Sequence, residues 1–281
     1  MDPVTPTEIN RARWDELASI HGKGDRIYDI DALAGGADSR TRFEREAVAA
    51  ALGNEPGGPL DGARILHLQS HIAFDSISMA RLGAEVTAVD FSPVALERAR
   101  ELAELCGAAL ETVESDATDL PSSLDGRFDL VYASIGAICW IGDIEAWMRA
   151  AAGALDDGGA LVLYDCHPAV GMFKSVKPLE FGYSYGFGGP IVETEASSYA
   201  DADVKLEAAE SVSYQHSIGE VVGAALSAGL AVERLDEHTE SEFDIWGDGD
   251  MEREEDGMWR VRVHGSAFPL FFTLIARKPG A

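Results

Sequence analysis

Asp90 is the acid whose position says most about chemistry in this 281-residue chain. It ends a short apolar run, Val86 to Val89, roughly 20 residues beyond the turn Gln69-Ser70-His71-Ile72-Ala73. That is the separation at which a carboxylate meets ribose hydroxyls in βαβ nucleotide folds, and a carboxylate accepts both diol hydrogens without changing protonation. The turn contains no glycine, so it lacks the bare backbone that lets a dinucleotide pyrophosphate approach. A nucleoside cofactor without phosphates is the better match. Phe91, next in sequence, can cover one face of an adenine or serve as a plain core residue.

Asp165 and His167, in the stretch YDCHP, form the second constellation. Histidine titrates near neutrality and can take a proton from a hydroxyl. Alternate positions on an extended strand share a side, so Asp165 would orient His167 if the strand persists through Cys166. A histidine before a proline also serves simply to bond a loop, and the residues leave both readings open.

The elements that must position these groups follow from apolar periodicity and from caps. A strand is predicted over Ile65 to Leu68, then a helix capped by Asp75 and stopped at Gly83, then the strand ending at Asp90. Ser92 caps a helix from Pro93 that Gly107 closes. Strands follow near Leu110 to Val113 and at Phe128 to Ala133, a helix at Ala146 to Leu155 stopped by Asp157-Gly158-Gly159, and a fifth strand at Ala160 to Asp165. Such alternation predicts an α/β fold with a mostly parallel sheet, whose ligands sit in the crevice beyond the strand ends; Ser134, Ile135 and Gly136 lie there. Upstream, Pro6 to Gly53 reads as helical, with the amphipathic NRARWDELASI stretch and a second helix at Thr41 to Leu52. This helical segment, within residues 1–60, is expected to lie over the cofactor mouth as a lid.

Downstream of the core (61–170), residues 171–215 change character: Phe181, Tyr183, Tyr185 and Phe187 nearly alternate in a glycine-rich setting. They read as an inserted antiparallel β element that shapes a substrate pocket. Residues 216–281 complete the sheet with a helix at Ile218 to Ala228, a strand from Leu230 to Leu235 and a last strand at Leu270 to Ala276.

The wording HLQSHIAFDS followed by LGAEVTAVDFSP resembles class I S-adenosylmethionine-dependent methyltransferases, in particular a bacterial small-molecule branch with an HLQCH-type first motif. The resemblance runs nearly the whole chain, taking in NRARWDELA, RFDLVYAS, GAICWIGDIEAW, LYDCHP, YQHSIGEVVGAALSAGL and PLFFTLIARKP. Ala73 stands where the branch commonly has glycine, and Ser70 where it often has cysteine. The resemblance implies a Rossmann-like single domain with an antiparallel last strand and S-adenosyl-L-methionine as cofactor. It implies that Asp116 accepts from the adenine amino group while the amide of Ala117 serves a ring nitrogen, and that Gln69, Ser70 and His71 shape the cofactor turn. Carbonyls at Ser134 would face the methionine portion. Trp14 and Tyr28 in the lid would close the pocket, with Trp140 and His216 on the substrate side. Each of these has a plain alternative, as a turn acid, a backbone-bonding histidine or a packing aromatic.

Composition narrows the substrate. A formal charge of −27 repels a phosphate backbone, so nucleic acid is not expected as a partner. Cys106, Cys139 and Cys166 are odd in number and lack zinc-ligand spacing, which suits reduced thiols and no metal. The opening MDPVTPTEIN has no basic region or apolar run, and no stretch reaches the roughly 18 apolar residues of a membrane span, so a cytoplasmic location without membrane attachment is expected. Asp236 to Asp256 is so acidic that it reads as a solvated mobile loop. Its functional reading lends Trp246 as an aromatic wall beside a field that favours a cationic or amine substrate. The expected function is methyl transfer to a hydroxyl, amine or carbon nucleophile of a small molecule in biosynthetic metabolism, with the oligomer open between monomer and homodimer. Two other readings are a protein that binds the cofactor and promotes a rearrangement without methylating, and an NAD-type oxidoreductase, which the glycine-free turn disfavours.

Overall fold

The computed structural model describes residues 4–23, 27–176, 178–186, 188–201, 203–246 and 249–280. Thr5 starts α1 (Pro6–Ile20) with a reciprocal capping box to Glu8, and Thr41 starts α3 (Arg42–Leu52) with another to Glu44; the short α2 (Ile30–Ala34) lies between. The core then alternates: β1 (Arg64–Leu68), α4 (Phe74–Arg81), β2 (Glu85–Asp90), α5 (Pro93–Leu105), β3 (Leu110–Glu114), β4 (Phe128–Ala133), α6 (Ile144–Ala154) and β5 (Leu155–Cys166). A single turn, α7 (Pro168–Gly171), leads to the antiparallel pairs β6 (Phe173–Val176) with β7 (Leu179–Phe181) and β8 (Ile191–Thr194) with β9 (Glu210–Ser213). After α8 (Ile218–Ser227) and β10 (Ala231–His238) come two short pairs, β11 (Glu252–Arg253) with β12 (Trp259–Arg260) and β13 (Arg262–Val263) with β14 (Ser266–Ala267), and then β15 (Phe271–Arg277).

Seven strands form one sheet in the order β10-β15-β5-β4-β1-β2-β3. β15 alone runs against the direction of the other six strands, as expected for the Rossmann-like fold of class I methyltransferases. Because successive side chains alternate, both faces are apolar: Leu66, Val131, Leu161 and Leu163 pack with Trp147 on one, and Ile65, Leu130 and Val162 pack with α3 residues on the other. The ends of β1, β2, β4 and β5 therefore emerge along one edge, where the sequence placed the chemistry.

Four local expectations need correction. Helix α6 ends at Ala154, before the glycine pair, because Leu155 already pairs with Phe128; Asp157-Gly158-Gly159 form an irregularity inside β5, and a Cβ on Gly159 would come within 2.8 Å of Phe128 O. Asp75 does not cap α4; the N-cap is Ala73, whose left-handed backbone makes no side-chain bond, and Asp75 turns instead to Ser39 and Tyr132. The insert is two separate hairpins, with Phe181 on a strand and Tyr183 and Tyr185 outside any; Phe187 and Gly247 fall outside the described residues. The acidic stretch is not an unstructured loop. Arg260 gathers Glu254 at 2.8 Å, Asp256 at 2.7 Å and Glu240, which also pairs with Arg42, so these three acids are tied down by cations. No described helix is long and apolar enough to cross a membrane.

Candidate cofactor and acceptor site

Gln69, His71 and Ala73 all hold left-handed backbones, with φ of 55°, 49° and 62°. Each such residue costs about 1–2 kcal/mol when it is not glycine, so the turn persists only because its side chains and amides are tied down. Gln69 Nε2 donates to Ala137 O (2.8 Å) and its Oε1 accepts from Trp147 Nε1 (2.9 Å), joining the turn to the loop after β4. The amide of Ser70 donates to Val89 O, and that of His71 to Asp90 Oδ2 (2.8 Å).

Asp90 closes this arrangement. Its Oδ1 accepts from the amide of Ser92 at 2.9 Å, it is 6% exposed, and burial pushes its carboxyl up to about 6 despite those two amides. Each oxygen keeps a further lone pair for a hydroxyl. Beside it, Ser115 N donates to Asp90 O and brings the end of β3 alongside, so Asp116 and the buried Ala117 follow next to Asp90. Asp116 folds back on Thr118, accepting from its amide at 2.8 Å and its hydroxyl at 2.7 Å, which is a turn acid's role. Phe91 is half-buried, with the Arg11 guanidinium of α1 5.8 Å above its ring. Ser134 is half-buried at the end of β4, and Ser70 Oγ is buried without a partner among the described residues.

Over this edge the N-terminal helical segment, the turn, the β4 loop and the insert bring their rings together. Trp14 lies 5.0 Å from His71 and 5.5 Å from Trp140, both edge-on; Tyr28 lies 5.5 Å from His71 and stacks on His21 at 4.7 Å. The hydroxyls of Tyr28 and Tyr199 are 2.6 Å apart. Two of these residues were missed. His21 offers only its place beside Gly22 at the end of an amphipathic helix, and Tyr199 has no local signal at all. His21 Nδ1 meets His71 Nε2 at 2.8 Å and its Nε2 meets Ser198 Oγ at 3.1 Å, so the end of α1, the turn and the insert are linked by one chain of hydrogen bonds. Burial, then the neighbouring imidazole, hold His71 well below the usual histidine range.

The pairing of Asp165 with His167 does not form. Asp165 instead accepts four backbone amides, from Gly136 (2.6 Å), Ala137 (3.1 Å), Ile138 (3.0 Å) and Cys166 (2.7 Å), and so clamps the β4 loop that carries Trp140. Burial pushes its carboxyl up to about 6. The strand ends at Cys166, the alternation stops there, and His167 turns to cap α7: its Nδ1 accepts from Ala169 N at 3.1 Å and its Nε2 donates to Glu237 at 2.7 Å. Burial lowers the proton affinity of His167 against the pull of Glu237, and both nitrogens are occupied. His216 takes its backbone-bonding alternative, donating from Nε2 to Ile141 O at 2.7 Å just past Trp140. Trp246 packs toward Phe268 (6.3 Å) in a cluster with Phe173 and Phe271, apart from the rings around His71.

Comparison with known proteins fits this geometry. Residues 65–159 match the methyltransferase domain family. A ubiquinone biosynthesis O-methyltransferase of Xanthomonas euvesicatoria is 36% identical over 163 residues, 58% of this chain and 65% of that protein. A demethylmenaquinone methyltransferase of Clavibacter sepedonicus is 43% identical over 126 residues, 44% of this chain and 45% of that protein. The chain therefore spans 65% and 45% of the lengths of these two curated relatives. Among solved structures, an S-adenosylmethionine dependent methyltransferase from Mesorhizobium loti superposes with a TM-score of 0.56 at 21% identity, covering 87% of this chain and 99% of that one. The magnesium protoporphyrin IX methyltransferase of Synechocystis, solved with its S-adenosylmethionine, superposes with a TM-score of 0.54 at 14% identity over 99% of each chain.

Proposed function

We propose, for a chain that belongs to the class I S-adenosylmethionine-dependent methyltransferases, that it transfers the methyl group to a nucleophile of a small molecule in biosynthetic metabolism, with oxygen as the first-choice acceptor. The observation that carries the reading is Asp90: a buried carboxylate at the end of β2, held by two amides and with lone pairs left for a ribose diol. The methyl donor supplies a carbon already activated by positive sulfur. The protein's share is to hold the two reactants in line, exclude water and accept a proton. Asp90 would hold the ribose, Asp116 and Ala117 would meet the adenine edge, and the buried Ser70 hydroxyl and the carbonyls after β4 would face the methionine portion. Trp14, Tyr28, Trp140 and Tyr199 enclose the mouth, and aromatic faces suit a sulfonium cation. The names of the curated relatives, ubiquinone O-methyltransferases among them, favour an oxygen acceptor over nitrogen or carbon.

Asp90→Ala should weaken S-adenosylhomocysteine binding by about 1.5–3 kcal/mol, the scale of a charge-assisted hydrogen bond, with the circular dichroism spectrum intact. Unchanged affinity by calorimetry removes Asp90 from the ribose site. Mass spectrometry of candidate metabolites incubated with methyl-labelled cofactor then identifies the acceptor.

A further inference from the structure

We infer that His71, backed by His21, takes the proton of an acceptor hydroxyl on its Nδ1; the inference rests on the methyl-transfer reading above and names the base for it. His71 Nε2 and His21 Nδ1 are 2.8 Å apart, so one donates to the other. His21 Nε2 reaches Ser198 Oγ, an oxygen that also accepts from the amide of Ala200 at 3.1 Å. In the working arrangement His21 carries its hydrogen on Nε2 and gives it to Ser198. Its bare Nδ1 then accepts the Nε2 hydrogen of His71. That leaves a lone pair on His71 Nδ1, the one ring nitrogen of the pair with no hydrogen-bond partner among the described residues. His71 itself is half-buried, flanked by Trp14 at 5.0 Å and Tyr28 at 5.5 Å, at the mouth where lid and turn meet.

The step balances without a further reactant. The acceptor oxygen forms a bond to the methyl carbon, the carbon–sulfur bond breaks with its electron pair going to sulfur, and the hydroxyl proton goes to His71 Nδ1. The resulting imidazolium is stabilised by its Nε2 hydrogen bond to His21, as a second group orients and stabilises the imidazole of a catalytic triad. The extra proton leaves through His21 and Ser198, which line a cavity of about 180 Å³ together with Lys23 and Asp201. The pair can carry one added proton and not two, because two imidazolium rings in contact repel. Among the described residues, the ionisable groups facing it are Asp90, which takes the His71 amide, Asp15 behind Asp90 through Ser92, Tyr28 against both rings, and Tyr199, whose ring lies 4.9 Å from that of His21. A left-handed His71 also has a reason here, since a glycine would carry no imidazole to the mouth.

The test reads the protons first. Imidazole nitrogen NMR of the protein saturated with S-adenosylhomocysteine, near neutral pH, should show His71 and His21 neutral and both protonated on Nε2. A hydrogen on His71 Nδ1, or a charged His71, overturns the inference. The second measurement uses catechol and 4-nitrocatechol as probe acceptors, the latter ionised without help. His71→Asn should slow catechol methylation by roughly 10²-fold and 4-nitrocatechol by less than about tenfold, with S-adenosylhomocysteine affinity within about threefold. His21→Asn should show the same split more weakly. Equal losses on both probes make His71 structural, and a wild type that binds S-adenosylhomocysteine yet methylates neither probe ends the assignment of a hydroxyl base. A wild type that fails to bind S-adenosylhomocysteine overturns methyl transfer itself.

Discussion

The hydroxyl of Tyr132 lies 2.6 Å from Oε1 of the buried Glu44 and 3.3 Å from Oδ2 of the half-buried Asp75, one hydrogen between two acids. It can satisfy only one of them at a time. Burial first, and the Asp75 charge second, push the Glu44 carboxyl up to about 7. The unfolded chain releases this proton near the ordinary value of 4.5. Between those two values the folded state therefore holds a proton that the unfolded state lacks, and stability falls as pH rises through the window. Glu44→Gln can turn its oxygen to Thr41 and its amide to the Tyr132 hydroxyl, which then donates to Asp75. The drop in melting temperature between about pH 4.5 and pH 8 should be smaller in this variant than in the wild type, and equal drops would show that Glu44 titrates normally.

Asp165→Asn should be among the more damaging single changes at the strand ends. An amide in place of the carboxylate sets its own N–H groups against backbone donors that now meet an anion. A loss of about 2–4 kcal/mol in chemical denaturation is expected, along with weaker S-adenosylhomocysteine binding as the loop bearing Trp140 loosens. A change below about 0.5 kcal/mol would mean that the loop is held by Gln69 alone.

His167→Ala should behave as the removal of a cap and not of a base. Losing the bond to Ala169 N costs about 1 kcal/mol of stability. Methyl transfer should stay within a few-fold, with its pH profile unmoved. A fall of roughly 10²-fold together with loss of the acid limb would restore His167 as the base.

Two glycine substitutions separate backbone strain from side-chain anchoring. Ala73→Gly relieves a left-handed φ of 62° and should stabilise by up to about 0.5 kcal/mol, the relief being partly offset by the freer unfolded chain. Gln69→Gly relieves a similar strain but cuts the bonds to Ala137 and Trp147, so it should destabilise by about 1 kcal/mol or more. Thermal melts of both variants against wild type decide the matter, and the same sign for both would refute the anchoring role.

What could be read in advance was local. Ser92 as cap of α5 and Gly107 past its end, and Asp90 at the tip of β2, follow from cap chemistry and periodicity within a few residues, whereas the antiparallel direction of the last strand came from the family resemblance. The placement of single residues was legible wherever a strand end delivers them directly, as with Asp90 at the tip of β2 and Ser134 just past β4. It was not legible where a partner comes from far along the chain: Glu237 for His167, His21 and Ser198 for His71, the four amides for Asp165. Helix α6 stopped early for the same reason, since Leu155 is claimed by Phe128 across the sheet. The acidic stretch misled because its counter-charges, Arg42 and Arg260, lie outside it in sequence.

Helix α1 grips the insert almost entirely by its main chain. Asn10 exchanges hydrogen bonds with Val212 N and O, Arg13 donates to the carbonyls of Glu195, Ala208 and Ala209, and Glu16 accepts the amides of Glu207 and Ala208. Backbone atoms are the same whatever side chains they carry. Substitutions along β8 and β9 can therefore change the side chains that the insert carries while α1 keeps its seat, so that this face can drift in descendants of this chain without each step being paid in loosened packing.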